Sequence, residues 1–157
     1  MGRGEAAALL GTTAARVQAD RRGALRALCA LTPACVVLKG AGTLIGQQRG
    51  QRLRPVCVSP WDVPALAVGG SGDVLAGCMG ALLARRAAHP AATPEEDCPV
   101  DALTLAAVGV SWHALAGRAV AAQYPTRGNL AHELADVLPS VHAAHGGCRA
   151  ATGDGRC

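Results

Sequence analysis

Apolar positions along this chain come in blocks of changing period, and each block predicts an element. Residues 5–10 form a short apolar run closed by Gly11, a helix with its stop. Thr12 and Thr13 offer an N-cap for a second helix reaching about Leu31, with Val17, Leu25 and Leu28 among its apolar positions. After Pro33 the unbroken run Cys35-Val36-Val37-Leu38 predicts a short, fully buried strand of the kind that suits a parallel sheet covered on both faces. Residues 43–48 and 51–58 predict two strands joined at Arg49-Gly50 as a hairpin. A loop with Pro60 and Pro64 leads into Gly69-Gly70-Ser71-Gly72-Asp73, where a helix starts that runs to about Arg86.

Residues 88–99 are a surface linker by composition, and 101–122 predict a long helix whose small residues let it pack closely. A last helix over 129–138 is expected to stop at Pro139. Apolar periodicity is lost beyond about Ala143, so residues 141–157 are expected to form a disordered tail. Strands alternating with helices make this an α/β chain, without internal repeats.

Composition narrows the choice. At 157 residues with 50% apolar and 17% charged, the chain is expected to be one domain or a piece of something larger, and not a disordered charged segment. The apolar half is lean, with 34 alanines, no Phe and only Trp61, Trp112 and Tyr124 as aromatics. Alanine removes little surface on burial, so Leu and Val must carry the core. The net charge of +4 rests on 14 Arg and one lysine, Lys39. Arg clusters at 16–26 and 49–54 lack aromatics between them to stack bases, so they predict solvated faces and no nucleic-acid partner.

Seven cysteines (29, 35, 57, 78, 98, 148 and 157) include no C-x-x-C pair, and several sit in apolar runs as reduced thiols do. That usage predicts a cytoplasmic location. The first residues carry Glu5 ahead of too short an apolar stretch for a signal peptide. Pro33 and His113 interrupt the longest apolar stretches, so no membrane span is expected.

Two glycine-rich segments carry the candidate chemistry. Lys39-Gly40-Ala41-Gly42-Thr43 stands where a strand ends, and Gly69-Gly70-Ser71-Gly72-Asp73 where a helix begins. Glycines there let backbone N–H groups approach an anion, which the helix dipole favours. The amides of Gly70, Ser71 and Gly72 are therefore a candidate anion hole. Asp73 beside a phosphate makes sense as a base for a reacting hydroxyl. No Gly-Lys-Ser/Thr closes the segment and the G-x-G-x-x-G spacing is absent, which excludes a Walker-A loop and a dinucleotide fingerprint. His113 within an apolar helix is expected to be a satisfied core histidine, and His132, His142 and His145 have no companions at metal-ligand spacing.

Val36-Val37-Leu38-Lys39-Gly40-Ala41-Gly42-Thr43, followed by Gly69-Gly70-Ser71-Gly72-Asp73-Val74-Leu75-Ala76-Gly77, resembles the C-terminal half of the ADP-dependent NAD(P)H-hydrate dehydratases. The resemblance extends through the hairpin at Gly50, Gly109…His113-Ala114-Leu115-Ala116-Gly117 and Gly128…Leu138-Pro139, covering roughly residues 4–140. It implies the C-terminal portion of a ribokinase-like, doubly wound sheet with flanking helices over residues 1–140. It also implies a hydro-lyase for nicotinamide nucleotide repair, one that dehydrates the S epimer of hydrated NADH or NADPH with ADP or ATP as phosphate donor and Mg2+ bridging the phosphates. By the same resemblance Lys39, Gly40, Ala41, Gly42, Thr43 and Gly72 bind the adenine nucleotide, and Asp73 faces the hydrated nicotinamide.

The chain departs from the family pattern in places. Val63-Pro64-Ala65-Leu66-Ala67-Val68 stands where the family shows Asn-Pro-Gly-Met-Ala-Thr, and His132-Glu133 where it shows Ser-Asp. Gly4-Glu5 resembles the end of a Thr-Pro-His-Pro-Gly-Glu segment, so the chain is expected to start in mid-domain. Half a doubly wound sheet exposes a strand edge and a bare face, hence an expectation of low stability or self-association. A vitamin-precursor kinase of the same fold and a non-catalytic nucleotide-binding remnant stay open as alternatives.

Overall fold

The computed structural model describes residues 1–50, 52–54, 57–88, 101–125 and 128–145. Helix α1 (Arg3–Leu9) ends where Gly11 turns the chain at φ 60°, and the Thr12 N–H closes back on the Ala7 carbonyl at 2.9 Å. The helix expected from Thr13 to Leu31 is two helices, α2 (Ala14–Ala19) and α3 (Arg21–Ala30). Asp20 breaks it. Its carboxylate accepts the Gly23 N–H at 2.8 Å and caps α3, a local bond that competes with helix continuation. Gly23 permits this, since a Cβ there would overlap the Asp20 carboxylate.

Strand β1 (Val36–Leu38) pairs antiparallel with β2 (Leu44–Gly46), in the register Val37↔Ile45. The parallel neighbour expected for this strand is replaced by an antiparallel one, because five residues of turn cannot carry a parallel crossover. One parallel rung does exist on the other edge. The Met1 amino nitrogen donates to the Val37 carbonyl at 2.9 Å, and the Lys39 N–H donates to the Met1 carbonyl at 2.8 Å.

The expected hairpin is present but bends at Gln47. Its inner half pairs β2 with β5 (Cys57–Val58), and its outer half pairs β3 (Gln48–Arg49) with β4 (Arg52–Leu53). The register slips by one residue between the halves, which is how a β-bulge bends a ribbon.

Side-chain alternation along β1 and β2 divides the core into two layers. Val36, Leu38 and Leu44 join Ala6, Val17, Leu25, Leu28 and Cys29 under α1–α3. Ile45 joins Leu75, Leu103, Ala106 and Val110 on the opposite face, under α4 (Ser71–Ala88) and α5 (Ala102–Gln123). The result is a helix–sheet–helix sandwich. Gly46 lets α3 approach closely, since a Cβ there would stand 3.0 Å from Leu25 Cδ2 and 3.2 Å from Cys29 Sγ.

Helix α5 starts at Asp101, whose carboxylate accepts the Thr104 N–H at 2.9 Å and pairs with Arg54. It is long and apolar enough to cross a bilayer by length and composition, a property the interruption at His113 does not remove. Its apolar surface is spent on packing: nine of its residues are buried, and Gly109 and Gly117 admit Met79 of α4 and Leu66. Helix α6 (Ala131–His145) passes through Pro139, where a stop was expected. Pro139 and Ala135 are both exposed, so the carbonyl left without an N–H partner faces water. Beyond the proline, Val141 is buried and His142 meets Trp112 edge-on at 4.7 Å, which holds the last turns. Of the linker expected over 88–99, Ala88 ends α4 and the rest lies outside the described residues. Of the tail expected over 141–157, residues 141–145 are helical instead and 146–157 lie outside the described residues.

Cys29, Cys35, Cys57 and Cys78 are free thiols, and burial pushes Cys29 and Cys78 up and Cys35 to about 11.

Candidate functional site

The turn after β1 sets the first half of the site. Lys39 follows the buried Leu38 directly, so its side chain projects from the sheet's end toward the start of α4. Gly40 sits at φ 145°, a backbone that L side chains rarely adopt. Its carbonyl accepts the Thr43 hydroxyl at 3.0 Å, closing the turn on itself. Ala41 and Gly42 complete this loop.

The second half is built from the loop before α4. A 3-10 turn over Pro64–Leu66 lies on α5, and Trp61 stacks under the Arg118 guanidinium at 4.9 Å. Ser71 is buried, its hydroxyl donating to the Leu66 carbonyl at 2.7 Å and its N–H to the Val68 carbonyl at 3.3 Å. Of the three amides expected to form an anion hole, Ser71 is thus committed to structure. Those of Gly70 and Gly72 have no backbone acceptor among the described residues. Asp73 occupies the exposed first turn of α4.

Lys39, Gly72 and Asp73, together with Glu5, line one cleft of about 180 Å³. A Cβ added at Gly72 would overlap the Lys39 Nζ, so the ammonium rests against the Gly72 backbone. The Glu5 carboxylate is held below its ordinary range, first by the Gly2 N–H and further by the Met1 amine and Lys39. The cleft therefore holds cations, two carboxylates and, at a helix N-terminus, the Gly72 amide with no backbone acceptor among the described residues, a set suited to a phosphate and a hydroxyl beside it. A roomier apolar hollow of about 320 Å³, lined by Cys35, Gln47, Met79 and Leu83 among others, shares Val37 and Met79 with the cleft but none of these polar groups.

Beneath the turn that opens α4 sits His113, 5% exposed. Desolvation pushes its pKa below the ordinary histidine value, a hydrogen bond with the Ser71 backbone opposes this, and the Lys39 charge adds to it. Buried it is, but not satisfied as expected: Nε2 has no partner among the described residues. Arg21 is the site-related residue that the sequence did not single out. It stands within the Arg cluster read as a solvated face, yet its half-buried guanidinium donates to carbonyls of the Lys39 turn. His132 and Glu133 lie at the start of α6, and Glu133 Oε2 accepts the Leu130 N–H at 2.9 Å.

No group of three His, Cys, Asp or Glu side chains gathers among the described residues. Magnesium held by one or two carboxylates and by phosphate oxygens fits the cleft, with Asp73 and Glu5 as the available acids.

The NAD(P)H-hydrate dehydratase family matches residues 2–140 of the chain. The chain belongs to that family. Among curated members it is 43% identical over 129 residues to the bifunctional NAD(P)H-hydrate repair enzyme Nnr of Gloeobacter violaceus, covering 82% of this chain and 22% of the relative. It is 48% identical over 81 residues to the ADP-dependent (S)-NAD(P)H-hydrate dehydratase of Neisseria meningitidis serogroup B, covering 52% and 26%. The ADP/ATP-dependent NAD(P)H-hydrate dehydratase of Bacillus subtilis, crystallised with ATP/Mg2+, superposes at a TM-score of 0.68 with 26% identity, covering 92% of this chain and 46% of that one. These neighbours confirm a ribokinase-like α/β fold for this dehydratase-family chain. The chain spans about a quarter of the curated relatives' length and under half of the solved enzyme's.

Proposed function

We propose that this chain is the C-terminal part of an ADP- or ATP-dependent dehydratase that restores hydrated NADH or NADPH, acting on the S epimer. The observation that carries the reading is the cleft in which Lys39 rests against Gly72 with Asp73 one residue on. Lys39 to Thr43 and Gly72 bind the adenine nucleotide, with the Lys39 ammonium against its phosphates. Asp73 faces the hydrated nicotinamide and accepts the proton of its ring hydroxyl as that oxygen takes the phosphoryl group. The Gly70 and Gly72 amides meet the charge on the transferring phosphoryl, and Ser71 holds the turn that presents them. Bound Mg2+ supplies charge neutralisation between phosphates. Loss of phosphate from C6 of the ring, with loss of a proton from the adjacent C5, then regenerates the dihydropyridine. The partners are two small molecules, not nucleic acid or membrane, in a soluble cytoplasmic protein that assembles into oligomers.

The test is turnover of hydrated NADPH with ADP and Mg2+, read as recovery of dihydronicotinamide absorbance. Activity is measured in the chain and after adding a relative's N-terminal half. Asp73→Asn should lower the rate by roughly 10²–10⁴-fold and leave ADP affinity within about twofold. Turnover equal to the parent removes Asp73 from the mechanism. A phosphorylated hydroxymethyl product in place of restored dihydronicotinamide would establish the kinase alternative. Nucleotide binding without turnover in either setting establishes the remnant, the reading that Val63–Val68 in place of the family's Asn and Thr favours.

A further inference from the structure

Arg21 is the first helical residue of α3, and its guanidinium reaches beneath the turn that follows β1. Nη2 donates to the Leu38 carbonyl at 3.1 Å and to the Gly42 carbonyl at 3.4 Å, and Nη1 to the Lys39 carbonyl at 3.4 Å. Three carbonyls between Leu38 and Gly42 are thus tied to one planar cation. Only arginine among the side chains offers five donors in a rigid fork. Among the described residues no carboxylate pairs with it.

Peptide planarity converts these bonds into a statement about the opposite face. In a trans peptide the C=O and the following N–H point in opposite directions. A Lys39 carbonyl aimed at Arg21 therefore aims the Gly40 N–H away from it, and the Gly42 carbonyl does the same for the Thr43 N–H. Neither amide has a backbone acceptor among the described residues. Gly40 itself closes against the guanidinium, because a Cβ there would stand 2.7 Å from Nη1. The glycine is required by the backbone itself, at φ 145°, and a side chain there would also displace the Arg21 fork.

We infer that Arg21 is a positioning residue for the nucleotide: by holding the Leu38, Lys39 and Gly42 carbonyls it presents the Gly40 and Thr43 amides to the phosphates. This rests on the nucleotide-binding role proposed above for Lys39–Thr43. It also separates Arg21 from its exposed neighbour Arg22, which caps no carbonyl of the turn among the described bonds.

The 157-residue chain is titrated with ADP and Mg2+ as the parent, Arg21→Met, Arg21→Lys and the control Arg22→Met. Amide hydrogen exchange across residues 39–43 is read on the same proteins without nucleotide. Arg21→Met should weaken ADP at least tenfold and speed exchange in the turn while α4 and α5 exchange as before. Arg21→Lys should recover part of both losses, and Arg22→Met should change neither. ADP affinity within twofold of the parent in Arg21→Met overturns the inference while leaving the nucleotide site standing. If the parent itself fails to bind ADP, the nucleotide reading falls. Exchange then decides Arg21 alone, and an unchanged rate at 39–43 in both Arg21 variants overturns its role. Should Arg21→Met not fold, Arg21→Lys carries the comparison, and full parental behaviour in it removes the need for a fork.

Discussion

The two helical layers that enclose the sheet are built to different standards. Helix α3 buries four of its ten residues, and Leu25 and Leu28 are at most 2% exposed. Helix α4 buries two of eighteen, Ser71 and Leu75, although it is apolar almost all round. Ala76, Gly80, Ala84 and Ala87 lie open to solvent, and Leu83 is 51% exposed. A helix of that composition is a core helix whose far side has no cover among the described residues. The proposed site straddles the contrast, with the Lys39 turn braced by α3 and Asp73 on α4. One wall of the cleft is fixed by a packed core and the other by its contact with α5.

The sharpest way to break this comparison is to truncate both walls. Leu25→Ala should cost about 2–5 kcal/mol, enough to unfold much of the population, whereas Leu83→Ala should stay within about 0.5 kcal/mol. Urea denaturation measures both, and equal losses would mean that α4 is not the loosely held layer. Next in size is Gly46→Ala, which pushes a methyl onto Leu25 and Cys29 and should cost about 1–3 kcal/mol. Asp20→Ala removes the cap at the break between α2 and α3, at about 0.5–2 kcal/mol in the same assay.

The smallest effect is set by pH and acts through the α4 side. His113 has a native pKa below its ordinary 6.5, so the unfolded chain binds more protons over that interval. Stability contributed by the neutral ring is complete above about 6.5 and is lost as pH falls toward the lower native value. Denaturation at pH 7.5 and at stepwise lower pH should show this decline, and His113→Gln should flatten it. A profile unaltered by His113→Gln would place the acid sensitivity elsewhere.

Much of the architecture was legible because it follows from periodicity. The strand at 36–38, the hairpin around Gly50 and the helices beginning near Ser71 and Asp101 stand where the pattern of apolar residues puts them. What the pattern could not supply are choices made by single polar groups. Asp20 divides a helix with a side chain that looks like any surface acid, though Gly23 three residues on was a usable sign. Pro139 ends no helix, since its cost depends on whether the orphaned carbonyl meets water. The strand's parallel or antiparallel partner depends on the turn length, and a buried run alone does not reveal it. At the site, Lys39, Gly72 and Asp73 came from the two glycine-rich segments, while Arg21 was hidden because its partners are carbonyls, which every sequence has.

The Met1 rung beside Leu38 has a consequence for how this molecule meets other chains. Among the described residues the ladder on this edge is a single rung, and its two hydrogen bonds are ones that any extended strand running in the same direction can make. Lys39 is the residue whose N–H closes that rung, and it also supplies the ammonium against Gly72. Strand capture at this edge would therefore be felt at the cleft. In the language of split proteins, the edge is a complementation slot that shares Lys39 with the cleft, and occupancy of the edge should be readable at that residue.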